Sequence, residues 1–382
     1  MKLHSIFFNK KFLNSIFFLS TFILCFNCLF LSSFKNFCYA YSIDNSNEIY
    51  IVYNNEGKVI FEGNKVIVGD KIIDGNLNEY EVYFVDNSSQ IAYADFNGRY
   101  QKPIIKKQSK GFNFSNNSTN KSVGLYLTHN DESYIPTDNT SSVYGKGGIH
   151  DVATSLANKF CDLNYTVYLD ETLHLPHDSG AYGRSYNTAN KLLNKKVDAL
   201  FDIHRDGVAR SVYVKNIDGV EKCKVRIIVG QANPNKDANL QFAMYLVSVA
   251  KEYCPWLFLD IYYAKGHYNQ ALTSKGLLFE MGTYLAEKEL VLETVPYLAN
   301  VIDKTLFSTV VEEDDKLTIT DTPTTEQQNN IVNNVLSANT TSNNFLNKNI
   351  SNVIIFTILF VCGMGFIIFI VYKIKTKRTI KK

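Results

Sequence analysis

Residues 123–134 read VGLYLTHNDESY. A short apolar run stops on His129, and Glu132 comes three residues later. VGLYLTH is patterned as a buried strand, and the segments after it decide the fold. HDVATSLANKFCDLN carries Val152, Leu156 and Phe160 at i, i+4 and i+8, the spacing of one helix face. TVYLD returns to a strand, NTANKLLNKKV is helical and ALFDIHRD is again a strand. KVRIIVGQ, NLQFAMYLVSVAKEYC and GLLFEMGT continue as strand, helix and strand, and EKELVLETVPYLANVIDKTLFS closes with a helix. Strands alternating with helices predict an α/β domain over 123–311, an open and mostly parallel sheet flanked by helices.

Three of these strands run into ionisable residues: His129, His204 and Glu280. In open α/β sheets, ligands bind at the carboxyl ends of strands, so these three mark an expected site. Imidazole and carboxylate are ordinary zinc ligands. His129, Glu132 and His204 together would leave one tetrahedral position for water. His150, at the start of the helix HDVATSLA, is an alternative to Glu132 as the middle ligand. Glu280 ends an apolar run, where a carboxylate is paired, bound to metal or used as an acid or base. It is read here as the general base. Arg205 is read either as holding a substrate carboxylate or as bracing Asp202. In KGHYNQAL, His267, Tyr268, Asn269 and Gln270 are polar groups expected to line the site, with Asn269 a substrate contact. His174 and His177, in LHLPHDSG, are read as solvated loop residues.

Outside this region the chain of 382 residues divides by composition. Residues 12–34 are a long apolar run behind Lys10 and Lys11, so 1–40 is read as a signal peptide or N-terminal membrane anchor. Residues 41–100 are rich in short strand-like runs, with NEGK as a hairpin turn, and predict a small β module without chemistry of its own. A polar linker spans 101–122. After the α/β domain, 312–350 is polar and low in aromatics, the composition of a disordered stalk. Residues 351–373 hold 19 apolar or small residues without charge at 353–371, long enough for a transmembrane helix. The tail at 374–382 is basic and is assigned to the cytoplasm, which puts the body outside. Of 39 basic residues, ten lie in 1–40 and 351–382, which contain no acid. The body therefore carries all 37 acidic residues against 29 basic ones. That distribution indicates membrane topology and argues against nucleic acid. Body cysteines Cys161, Cys223 and Cys254 are odd in number and scattered, and are read as buried small hydrophobes.

The segments LTHNDESYIP, DVATSLANKF, FDIHRD, VGQANPN, KGHYNQAL and LLFEMGT succeed one another across 123–290. On these residues the chain resembles the stage II sporulation protein P family, membrane-anchored peptidoglycan hydrolases of endospore-forming bacteria. Through RSYNTANKLLNKKVDALFDIHRD, 184–206, and LLFEMG it is more distantly similar to zinc N-acetylmuramoyl-L-alanine amidases. The resemblance implies an amidase-like fold and zinc-dependent cleavage of the amide between muramic acid's lactyl group and L-alanine. It also implies a second activity on peptide cross-links. By position it implies His129 and His204 as zinc ligands, with Glu132 in the same motif, and Glu280 as the catalytic residue. It further implies peptidoglycan as substrate, the stage II sporulation proteins D and M as partners, and an extracytoplasmic place at the septum during engulfment. The chain departs from the pattern in three places. His150–Asp151 stands where the distant amidases carry a ligand glutamate. His267 precedes YNQ where a basic residue such as arginine is expected. The C-terminal apolar run adds to a family anchored at its front. The alternatives to an amidase are a zinc carboxypeptidase-like hydrolase of wall peptides and a non-catalytic glycan-binding scaffold.

Overall fold

In chain order the first strands are β1 (Ile49–Asn54), β2 (Val59–Asn64), β3 (Lys71–Asp74), β4 (Asn78–Asp86), β5 (Ile91–Tyr100) and β6 (Ile105–Lys107). The predicted alternation comes next: β7 (Ser122–Tyr126), α1 (Ile149–Asp162), β8 (Thr166–Asp170), α2 (Ala181–Leu193) and β9 (Ala199–Asp206). A hairpin of β10 (Val214–Ile217) and β11 (Val220–Cys223) precedes β12 (Val225–Gly230), α3 (Lys236–Tyr253), β13 (Phe258–Ala264), β14 (Gly276–Thr283) and α4 (Lys288–Asp303). The short β15 (Thr309–Val311) and β16 (Ile319–Thr320) pair with β6 and β5. This computed structural model describes residues 49–101, 105–107, 121–178, 180–311 and 319–320. The expected leader, the C-terminal apolar run, the basic tail and most of the linker and stalk lie outside the described residues. Among the described residues, no helix is long and apolar enough to cross a membrane.

The main sheet runs β2-β1-β5-β4-β3-β13-β12-β14-β9-β7-β8. Strands β14, β9, β7 and β8 are parallel neighbours, as are β12 and β13, but β12 meets β14 antiparallel. The expectation of a mostly parallel sheet is therefore corrected to a mixed one. The physical reason is the link from β13 to β14, residues 265–275. It contains only a short 3-10 turn and lacks the helical crossover that returns a chain to a parallel strand. The strands of the expected β module extend the same sheet, because β3 pairs antiparallel with β13. A second correction concerns β13 itself and the β10–β11 hairpin, neither of which the sequence pattern discloses.

Strand alternation sorts side chains to two faces. Phe201 and Ile203 of β9, Ile227 of β12, Ile261 of β13 and Phe279 of β14 share one core with α1, α3 and α4. Helix α1 presents Val152, Leu156 and Phe160 to this core, as its spacing predicts. The opposite face has two covers. Helix α2 packs Ala189 and Leu192 on Tyr126 and Leu200. The N-terminal strands pack Val52, Phe61 and Val82 on Ile228, Tyr262 and Leu278. The five strands curl so that β2 also touches β3, and the Phe61 and Tyr262 ring centroids lie 4.5 Å apart. Register shifts at Val52/Tyr53 in β1 and at Val82/Phe84 in β4 increase the local twist that this curl needs. The N-terminal strands thus stand where a second helical layer would otherwise be. Cys223 and Cys254 are buried free thiols, whereas Cys161 is exposed on α1, contrary to expectation.

Candidate metal centre

The alternation of FDIHRD sends Phe201 and Ile203 to the helical core and Asp202, His204 and Asp206 to the other face. His204 is the register partner of Glu280 on β14, so the two point the same way from adjacent strands. Beyond β7, which ends at Tyr126, the chain turns through Leu127 and Thr128 to bring His129 and Glu132 over the same face. The turn is held at several points. Thr128 donates from its backbone N and from Oγ1 to Asp202, at 2.9 and 2.6 Å. Gly147 approaches so closely that a Cβ there would lie 2.1 Å from the Glu132 carbonyl oxygen. The start of α1 also faces the turn. Ile149 N donates to Glu132 O at 3.0 Å, and Gly148 N donates to Ser133 Oγ at 2.9 Å.

The result is a cluster in which one ligand atom each from His129, Glu132 and His204 lies within 4.8 Å of the others. Glu132 Oε1 is 3.3 Å from His129 Nδ1 and 3.6 Å from His204 Nδ1. Donors about 2.1 Å from a tetrahedral ion sit roughly 3.4 Å apart, so these spacings fit zinc. The outer contacts fit as well. Arg205 N donates to Glu132 Oε2 at 2.9 Å, and Asp202 Oδ1 lies 3.0 Å from His204 Nε2, an ion-pair contact behind the ring. Burial opposes charge on both Glu132 and His204, yet each charge is favoured. Glu132 is held well below the usual carboxylate range by His204, His129 and Arg205. His204 is held well above the usual imidazole range by Asp202 and Glu132. The pocket is therefore built to hold positive charge, on a proton or a cation. His129 is lowered by burial, which Glu132 only partly offsets.

Glu280 sits beside this cluster. Its Oε2 is shielded and has no hydrogen-bond partner. Burial and then the Asp206 carboxylate push its pKa well above the usual range. A bulge comes directly after it, with Gly282 at φ +73° and the register shifting between Glu280 and Thr283. Only glycine takes that backbone conformation at low cost.

Other expected site residues have different surroundings. Arg205 gives its guanidinium to the carbonyls of Ser133, Ser141 and Asp206 and does not touch Asp202. Asn269 Nδ2 donates to Tyr182 O and Ser185 Oγ, tying its loop to α2. His150 Nδ1 faces Glu171 at 2.8 Å and lies outside the three-residue cluster. His267 is exposed. His174 is buried between Leu127 O and Thr188 Oγ1, which corrects its reading as a solvated residue. His177 stacks on His129 with centroids 3.8 Å apart and bonds Asp131 at 2.8 Å.

Sequence reasoning missed a second charged group on this face. Arg226 of β12 is buried, the register partner of Glu280. It donates Nε and Nη2 to Asp260 at 2.7 and 3.0 Å and Nη1 to Asp206 at 2.6 Å. Phe61 covers its guanidinium at 4.1 Å. An arginine inside KVRIIVG and an aspartate inside FLDIYYA were the signals, since neither charge enters a buried strand unpaired. Tyr182 of α2 was also missed, and stacks 6.2 Å from the His204 ring.

The family model described as stage II sporulation protein P matches residues 52–303. A Bacillus subtilis (strain 168) protein named stage II sporulation protein P is 28% identical over 181 residues, 42% of this chain. The match spans 45% of that relative's length. Among solved structures, an N-acetylmuramoyl-L-alanine amidase from Clostridium difficile 630 matches 49% of this chain and 95% of its own, at 17% identity and a TM-score of 0.33. The catalytic domain of the amidase CwlV from Bacillus (Paenibacillus) polymyxa var. colistinus matches 48% and 95%, at 17% identity and a TM-score of 0.31. The family match runs from β1 to the end of α4, takes in the N-terminal strands as well as the cluster of His129, Glu132 and His204, and covers more than half of the sequence: the chain belongs to the stage II sporulation protein P family.

Proposed function

We propose that this protein is a zinc-dependent N-acetylmuramoyl-L-alanine amidase that cleaves peptidoglycan during endospore formation. The observation that carries this reading is the meeting of His129, Glu132 and His204 within 4.8 Å, on the face that also bears Glu280. When bound, zinc supplies a Lewis acid for the scissile carbonyl and lowers the pKa of water to about 7. His129, Glu132 and His204 would hold it, and Asp202 would orient His204 through the far ring nitrogen. Glu280 takes a proton from the attacking water and passes it to the leaving nitrogen. Burial and the Asp206 carboxylate raise its pKa, which favours the protonated form that donates to the leaving nitrogen. Activity on peptide cross-links, the stage II sporulation proteins D and M as partners, and an extracytoplasmic place at the septum belong to the same reading, on the strength of the family.

The test is Glu280→Gln, which keeps size and removes the exchangeable proton. The variant is expected to bind zinc and unfold like the unaltered chain, while its cleavage of purified cell wall falls at least about a hundredfold. Cleavage retained by that variant would remove Glu280 from the mechanism. Mass spectrometry of the products separates the activities: released intact stem peptides mark an amidase, and trimmed stems mark a peptidase.

A further inference from the structure

A cleft of about 130 Å3 opens on the face that carries Glu280. One wall is Phe61, Gly63 and Asn64 from β2, and the other includes Arg226, Tyr268 and Glu280. Gly63 permits the close approach, because a Cβ there would lie 2.3 Å from the Phe61 ring and 3.5 Å from Arg226 Nη1. Two oxygens of the lining, Asn64 Oδ1 and Glu280 Oε2, are shielded from solvent without a hydrogen-bond partner. Folded proteins pair nearly all such atoms, and the exceptions call for a ligand or a role. Arg226 commits three of its five N–H donors to Asp260 and Asp206, which hold its guanidinium in place. Asn64 is thus the polar group of the β2 wall with capacity to spare. Whole-ligand pockets measure roughly 300–1,000 Å3, so this cleft admits part of a substrate, on the scale of one peptide unit and not a disaccharide.

We infer that Asn64 is a substrate-recognition residue, its Oδ1 accepting a hydrogen bond from a peptide N–H of the muramoyl peptide while Glu280 works on the opposite wall. The inference rests on the amidase reading above and gives the N-terminal strands a part in the site. The experiment uses the full chain with zinc and a soluble N-acetylmuramoyl dipeptide. Asn64→Ala is expected to raise KM about tenfold, the value of one good hydrogen bond, with little change in kcat. Zinc content and the unfolding midpoint are expected to stay as they were. Asn64→Leu, which keeps the volume, is expected to do the same and guards against collapse of the cleft. As competitive inhibitors, the free dipeptide is expected to lose affinity for both variants and N-acetylmuramic acid is not. Loss for the sugar alone would overturn the assignment to peptide. An unchanged KM in a chain that cleaves normally would overturn the inference and leave the amidase reading intact. No cleavage by the unaltered chain would remove that reading, and the inference with it. Loss of the folded state in both variants would assign Asn64 to the fold and overturn its place in recognition.

Discussion

Asp202 illustrates how much one residue settles at this centre. It receives two hydrogen bonds from Thr128, which shape the turn carrying His129, and it stands behind His204. Replacing it by asparagine keeps the shape and removes the charge that favours a cationic neighbour. Asp202→Asn is expected to weaken zinc binding by about 10–100-fold. Titration against a competing chelator measures this, and an unchanged affinity would show that Asp202 only braces the turn. The gathering of His129, His204 and Glu280 on one face was readable, because each closes an apolar run, where ionisable residues have few structural uses. The surroundings of Arg205 and Asn269 were not. Their donors are engaged by carbonyls at Ser141 and Tyr182, and sequence spacing does not encode which way a long side chain turns.

Among elements, β14 places Glu280 through the bulge directly after it. At Gly282, φ is +73°, and a Cβ would lie 2.7 Å from Cys223 Sγ and 2.9 Å from Val291. Gly282→Val therefore adds both backbone strain and a clash. It is expected to cost about 1–3 kcal/mol or more, read as a lower urea midpoint. A variant as stable as the parent would mean that the bulge can relax. The alternation from β7 to α4 was legible because each element carries its own period. Strand β13 was not, because Asp260 interrupts its apolar run and the partner that makes it tolerable, Arg226, lies on another strand. Strand direction was illegible for a similar reason: pairing is a non-local choice.

For the whole molecule, the joining of β3 to β13 makes the N-terminal strands part of the sheet that carries the candidate site. A chain beginning at residue 121 would bare the β13 edge together with Ile228, Tyr262 and Leu278. Unpaired apolar edges and patches drive association. With both chains ended at residue 320, ahead of the C-terminal apolar run, that fragment is expected to elute as aggregate in size-exclusion chromatography, while a chain beginning at residue 41 elutes as a discrete species. A soluble, monomeric fragment from residue 121 would show that the strands are dispensable for folding. The sequence suggested a self-contained module because its turns and alternation are locally complete. The face that it buries becomes apparent only beside Tyr262.

The irregular pairings in β1 and β4 have a consequence for the cleft beside Glu280. Because β1 pairs with β2 and β4 belongs to the same curl, these irregularities bear on the aperture of the cleft that Asn64 and Glu280 line. Substitutions at Tyr53 or Phe84 would reset that aperture while leaving every group within it untouched, so selection on substrate width has a route that spares the chemistry.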